Sequence, residues 1–191
     1  GVMFASQSLD MEVKVTACSD EVRSADRIIL PGVGSFADCM KGLTAVSGMR
    51  DALEEVVIER GRPFLGICVG MQLLADLGLE HVSTKGFGWI SGTVDKILAG
   101  QLKVPHMGWN NLEIDQPHAL LNEVSSGDHA YFVHSYHFKV DNPKNILAHV
   151  KYGEYIAAAV VRDNISGTQF HPEKSQAVGL KIIENFLKWF P

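Results

Sequence analysis

The sequence predicts an α/β fold: a mostly parallel central sheet with helices on both faces, joined in the C-terminal half by antiparallel strands. Two observations carry this. From Arg27 to Leu79, apolar runs alternate with helix-patterned segments, and the runs are continuously apolar rather than alternating. Strands buried on both faces of a parallel sheet read this way. From Gly92 onward, short strand-like pieces follow one another closely with turn residues between them, the mark of hairpins.

Taken in order, Val2, Phe4, Ala5 and Leu9 stand at roughly helical spacing, so the chain opens in a helix. EVKVT (Glu12–Thr16) alternates like a short strand. RIILPGVGSF (Arg27–Phe36) is a buried strand running into a glycine-rich turn. Met40–Arg60 reads as helix, with Leu53, Val56 and Val57 on one face and a break near Ser47-Gly48. RPFLGI (Arg62–Ile67) is a second apolar strand, and Val69–Leu79 a helix closed near Gly78.

In the second half, strands are predicted over Gly92–Ile97, Asn111–Ile114, Tyr131–His134, His137–Val140, Ile146–Val150, Ala157–Val161 and Ile165–Phe170. Asp141-Asn142-Pro143 and Arg162-Asp163-Asn164 are turn signals between them. Gln176–Phe190 is an amphipathic helix that turns Val178, Ile182, Ile183, Phe186 and Leu187 inward. No repeat or linker divides the 191 residues, so they read as a single domain.

Composition narrows the function classes. Hydrophobic residues are 46% and charged residues 20%, a globular balance. A net charge of −5 with no basic cluster argues against nucleic-acid binding. No apolar run approaches the ~20 residues that cross a bilayer, and no charged-then-apolar stretch of secretory type is seen in the sequence. Cys18, Cys39 and Cys68 are odd in number and lack CxxC spacing, so a reducing, cytoplasmic setting is expected.

Three motifs carry chemistry. In FLGICVGMQ (Phe64–Gln72), Cys68 sits on a strand–turn–helix junction between Gly66 and Gly70. That is the context of a nucleophile elbow, where the crowded backbone needs small neighbours. The following helix N-terminus would favour the reactive thiolate. A buried structural cysteine beside packing glycines fits the turn equally well, so a partner base has to decide.

TQFHPEKS (Thr168–Ser175) offers one. His171 ends an apolar strand, and Glu173, two residues on, is in reach of its far ring nitrogen. An acid that fixes the tautomer and stabilises the imidazolium is the third-group logic of a triad. Both Cys68 and His171 at strand carboxyl ends suits a parallel sheet. A strand-capping histidine with a solvated Glu173 is the plain alternative.

LPGVGSF (Leu30–Phe36) can turn backbone N–H groups toward a developing oxyanion, with the N–H of Val69 as partner. A plain turn is the competing reading; a phosphate loop fails, because no Lys-Ser/Thr pair follows the glycines and GxGxxG is absent.

Together, Pro31-Gly32-Val33-Gly34, Gly66-Ile67-Cys68-Val69-Gly70-Met71-Gln72 and His171-Pro172-Glu173 resemble the class I glutamine amidotransferase family, over almost the whole chain and in the family's order. KVPHMGWN (Lys103–Asn110), YFVHSY (Tyr131–Tyr136) and GTQFHPEKS (Gly167–Ser175) narrow the resemblance to its glutaminase subunits of imidazole glycerol phosphate synthesis, in histidine biosynthesis. The resemblance implies a flavodoxin-like fold and a Cys68, His171 and Glu173 triad. It implies Val33 and Val69 as oxyanion donors, and Gly34, Gln72, His134, Ser135 and Tyr136 as the glutamine-binding set. It implies a heterodimer with a (β/α)8-barrel cyclase that receives the ammonia, with Met107, Trp109, Tyr131 and Lys174 at the interface. For Met107 and Trp109, ordinary core packing is the competing reading. No cofactor is implied.

One feature departs from the family. Gly1–Leu9 matches the end of its first helix, so the first strand and loop, roughly 15 residues by the usual size of such elements, are absent from this sequence. Other functions fit less well. His129, His134 and His137 are near in sequence, but His134 and His137 would face opposite ways on a strand, so a zinc site is not expected. A glutaminase serving pyridoxal phosphate synthesis is disfavoured by KVPHMGWN. A binding domain with a vestigial triad is disfavoured by the intact Cys68, His171 and Glu173.

Overall fold

The computed structural model describes residues 11–191. The opening helix expected over Val2–Leu9 lies outside them. The main sheet has six strands in the order β1-β2-β12-β11-β10-β7. Its parallel part is β1 (Ile28–Gly32), β2 (Phe64–Cys68) and β12 (Ile165–Thr168). The antiparallel part is β11 (Glu154–Arg162), β10 (Ile146–Tyr152) and β7 (Glu113–Ile114). The expected antiparallel strands of the C-terminal half extend the parallel part, but β12, also from that half, is itself one of the parallel strands.

β2 lies at the centre of the parallel part and all five of its residues are buried, as its unbroken apolar run requires. Phe64 and Leu65 are at most 1% exposed. Deleting a side chain of that size from such a site costs about 3–5 kcal/mol. Asn164 clamps the start of β2, its amide donating to the carbonyls of Val57 and Arg62.

Two smaller sheets flank the site end. One orders β4 (Thr84–Lys85), β3 (Leu77–Gly78), β5 (Gly92–Lys96) and β9 (Tyr136–Val140). The other pairs β6 (His106–Asn111) with β8 (His129–His134).

Helix α1 (Ser19–Ser24) precedes β1. Helix α2 (Phe36–Ala45) starts where Ser35 accepts from the Asp38 N–H, and the Glu80 carboxylate takes the Phe36 N–H, satisfying two donors that a helix start leaves open. Gly48, at φ 69°, supplies the predicted break. Helix α3 (Met49–Leu53) then runs on into a wider π-helical stretch, Glu54–Glu59. The C-terminal helix α5 (Gln176–Lys188) buries Ile182, Ile183, Phe186 and Leu187 as its periodicity predicts.

Two expectations are corrected. Glu12–Thr16 forms no strand, and Val15 is 93% exposed. Alternation alone makes no strand without a ladder partner, and among the described residues β1 pairs only with β2. The helix expected over Val69–Leu79 stops after one turn as α4 (Val69–Gln72). The carbonyls of Leu73, Leu74, Ala75 and Asp76 are taken instead by N–H groups of residues 86–90. Gly86 permits this, since a Cβ there would lie 2.1 Å from the Ala75 carbonyl oxygen.

Candidate active site

The three motifs meet at the carboxyl ends of three neighbouring parallel strands. The register pairs Gly32 of β1 with Cys68 of β2, and Ile67 of β2 with Thr168 of β12. The PGVG turn, the cysteine and the segment leading to His171 therefore emerge side by side from one edge of the sheet, where ligands bind open α/β sheets.

Cys68 has the turn geometry that FLGICVGMQ implies. Its φ of 56° and ψ of −114° are a strained conformation for a residue with a Cβ, costing about 1–3 kcal/mol. The glycines on either side act sterically: a Cβ on Gly70 would lie 1.9 Å from the Leu30 carbonyl oxygen, and one on Gly66 would lie 2.4 Å from that of Gly70. The α4 turn can press onto β1 and β2 only because both side chains are absent.

The thiol is 5% exposed. Burial pushes its pKa up to about 11, opposed by the Val69 backbone N–H facing the sulfur and reinforced by the Glu173 carboxylate. The thiolate-favouring helix end expected from the sequence is outweighed, because α4 is a single turn and desolvation of the charged sulfur dominates. The one side-chain hydrogen bond to Sγ among the described residues comes from Gln169 Nε2, at 3.8 Å. No hydrogen bond joins it to His171.

His171 is held firmly. Its N–H donates to the Tyr131 carbonyl at 3.0 Å, and its own carbonyl accepts from the Ser175 hydroxyl at 2.7 Å. That hydroxyl in turn accepts from the Tyr131 N–H at 2.9 Å, closing a ring between β8 and the HPEKS turn. His171 Nδ1 lies 2.8 Å from Glu173 Oε1, the expected contact. An ionised Glu173 can only accept, so Nδ1 carries the proton and Nε2 is left open. β12 ends at Thr168 rather than Phe170, so His171 stands on the turn beyond the strand.

Of the expected oxyanion pair, the Val69 N–H is at the sulfur, while Val33 is 77% exposed on the turn after β1. The Cys39 thiol donates to the Val33 carbonyl at 3.3 Å. Gly34, at φ +98°, has open space where a Cβ would be. Gln72 is 3% exposed, and its amide nitrogen donates to the Tyr136 carbonyl and to Gln169 Oε1. Both of its N–H groups are thus engaged, and among the described residues its Oε1 accepts no hydrogen bond.

His134, Ser135 and Tyr136 span the β8–β9 junction. His134 is buried and its Nδ1 donates to the Tyr136 carbonyl. His106 stacks between Phe132 and Tyr152 and donates from Nδ1 to His134 Nε2 at 2.9 Å. Burial drives the pKa of His134 down to about 3 and that of His106 to about 4.

Met107 and Trp109 are 61% and 48% exposed, which rules out core packing for both. Trp109 meets Tyr131 edge to face, and the Lys174 ammonium lies 5.9 Å over the Tyr131 ring. Sequence reading did not single out Gln169 or His106. Gln169 and His106 lay within the recognised motifs, but nothing in their spacing marked their partners.

No helix among the described residues is long and apolar enough to cross a membrane. Comparison with known proteins supplies the family. The profile described as Glutamine amidotransferase class-I matches residues 3–189. Among curated relatives, "Imidazole glycerol phosphate synthase subunit HisH" of Mesorhizobium japonicum is 55% identical over 188 residues, covering 96% of this chain and 87% of the relative. The protein of the same name from Rhodospirillum rubrum is 55% identical over 183 residues, covering 94% and 86%.

Among solved structures, a crystal structure of a glutamine amidotransferase aligns with TM-score 0.72 at 19% identity, covering 96% of this chain and 89% of that one. A glutamine amidotransferase from Thermotoga maritima gives 0.60 at 18% identity, covering 94% and 68%. The solved structures share the fold, and the family profile over residues 3–189 with relatives at 55% identity decides the rest: the chain belongs to the class-I glutamine amidotransferase family and is an enzyme of glutaminase type.

Proposed function

We propose that the chain is the glutaminase subunit of an imidazole glycerol phosphate synthase, acting in the cytoplasm as a single glutamine amidotransferase domain. The observation that carries this is the side-by-side emergence of the PGVG turn, Cys68 and the His171 turn from β1, β2 and β12. The relatives of that name, at 55% identity, support the choice of pathway.

In this reading, Cys68 passes its thiol proton to His171 Nε2, and the thiolate attacks the side-chain amide carbon of glutamine. Glu173 steadies the imidazolium through Nδ1. The N–H groups of Val33 and Val69 receive the oxyanion, each such donor being worth about 3–4 kcal/mol of barrier. The tetrahedral adduct collapses, His171 returns the proton to the leaving nitrogen, and ammonia departs from a γ-glutamyl thioester. Water, deprotonated by His171, then releases glutamate and restores the thiol. Gly34, Gln72 and the His134-Ser135-Tyr136 segment hold the glutamine.

The partner is a (β/α)8-barrel cyclase in a heterodimer. It combines the ammonia with a phosphoribulosyl formimino carboxamide ribonucleotide, giving imidazole glycerol phosphate and aminoimidazole carboxamide ribonucleotide. Met107, Trp109, Tyr131 and Lys174 form the docking patch, an apolar and aromatic set suited to an interface core. The raised thiol pKa and the exposed Val33 suit a site that works slowly until the partner engages.

The test is glutamine hydrolysis with and without the cyclase and its ribonucleotide. Activity that rises on adding both, is lost in Cys68→Ala and yields imidazole glycerol phosphate supports the assignment. Full activity in Cys68→Ala overturns the mechanism, and failure of the pair to form that product overturns the pathway.

A further inference from the structure

The hydrogen bonds behind Cys68 admit only one direction. The Tyr136 carbonyl oxygen can only accept, and it receives His134 Nδ1 at 2.9 Å and Gln72 Nε2 at 3.0 Å. This sets the Gln72 amide with its nitrogen toward Tyr136. The same nitrogen lies 2.9 Å from Gln169 Oε1, so its second N–H is donated there. With its oxygen engaged, Gln169 must point Nε2 at the Cys68 sulfur, 3.8 Å away. Gln169 is fully buried, and its backbone N–H is tied to the Ala158 carbonyl of β11 at 2.8 Å.

The other branch from Tyr136 is equally determined. His134 Nε2 accepts from His106 Nδ1, which leaves His106 Nε2 to accept from the Asn110 amide at 3.2 Å. A chain of fixed donors thus runs from β6 through the β8–β9 junction to the nucleophile.

We infer that Gln169 is a further catalytic residue: its side-chain N–H donates to the Cys68 sulfur and stabilises the thiolate, and Gln72 is the positioning residue that aims it. The inference rests on Cys68 being the nucleophile of the reaction proposed above. When the thiol proton moves to His171 Nε2, full negative charge develops on a sulfur shut away from water. A donor already aimed at that sulfur needs no reorganisation, and a hydrogen bond to a charged group is stronger than one to a neutral group. Gln169 cannot swing away without releasing Gln72.

The test is alkylation of the chain by iodoacetamide at pH 8.5, with each cysteine followed separately by mass spectrometry. The variants are Gln169→Met, which keeps the shape and loses the donor, and Gln72→Met, which leaves the donor unaimed. The rate at Cys68 is expected to fall about 10- to 100-fold in the first and by less in the second, with Cys18 unchanged. For glutamine hydrolysis, kcat is expected to fall with little change in KM. An unchanged Cys68 rate in Gln169→Met overturns the inference.

Should Gln169→Met fail to fold, the unsubstituted chain decides. The side-chain amide ¹⁵N–¹H signals of Gln169 are expected to move as Cys68 ionises and to stay still over the same pH range in Cys68→Ala. Signals that do not move in the unsubstituted chain overturn the inference. Full glutaminase activity in Cys68→Ala would remove the catalytic role together with the nucleophile. The alkylation result separates that failure from a missing N–H donor.

Discussion

Glu173 Oε1 lies 2.8 Å from His171 Nδ1, and the two differ sharply in exposure: the histidine side chain is 7% exposed and the carboxylate 42%. In the proposed triad the base is enclosed while its orienting acid is half in solvent. Water can therefore replace part of what Glu173 does, but not what His171 does.

For the triad, His171→Ala is expected to lower glutamine hydrolysis about 10²- to 10⁴-fold, the usual worth of a general acid–base group. Glu173→Gln is expected to cost less, because solvent screens an exposed partner. Steady-state kcat/KM, measured with the proposed cyclase partner present, checks the order. A Glu173→Gln loss as large as that of His171→Ala would contradict it.

Cysteine labelling at pH 7 is expected to modify Cys18 first, since it is exposed, and Cys68 slowest, since burial raises its pKa to about 11. The ionised fraction of such a thiol rises about tenfold per pH unit below its pKa. The Cys68 rate should climb accordingly from pH 7 to pH 10, read by mass spectrometry of each cysteine peptide.

Gly70→Ala is expected to destabilise the chain by about 3 kcal/mol or more, because the new Cβ would meet the Leu30 carbonyl oxygen at 1.9 Å, where only backbone can yield. Gly42→Ala, where a Cβ meets nothing within 4 Å, is the control. Denaturant midpoints for the two variants measure the difference.

Stability is expected to fall on acidification through the window set by His106 and His134. Their folded pKa values, about 4 and about 3, lie below the ordinary 6.5. The unfolded chain therefore binds more protons below pH 6.5, and stability rises with pH between about 4 and 6.5. The contribution is fully present above 6.5 and is lost as pH falls, at up to about 1.4 kcal/mol per pH unit for each group. Denaturant unfolding at pH 7.5, 6 and 5 should show this slope, flattened in His106→Phe.

At the proposed docking patch, Trp109→Ala is expected to weaken association with the proposed cyclase partner by about 2 kcal/mol, roughly 30-fold in Kd, while leaving the melting temperature near its original value. Trp109 is 48% exposed in the free chain, so little folding energy rests on it. Calorimetric titration with the cyclase, alongside a thermal melt, separates the two effects.

Much of this protein was legible in residue order alone. Continuous apolar runs announced β1 and β2, the Gly-flanked Cys68 announced its turn, and the i, i+3, i+4 pattern announced α5. His171 and Glu173 stood two apart, close enough for their contact to be read directly. These features are local, and burial on one face or both leaves a period that neighbouring residues record.

Tertiary structure decided everything that depends on a distant partner. It cut the helix after Gln72, because residues 86–90 offered the next carbonyls better-placed donors. It refused a strand to Glu12–Thr16, which has the alternation without a paired neighbour among the described residues. It set Cys68 beside Gly32, buried the thiol enough to raise its pKa, and aimed Gln169 at the sulfur from 101 positions away. Hydrogen-bond direction and desolvation depend on what the fold brings near a group, and residue spacing carries no record of that.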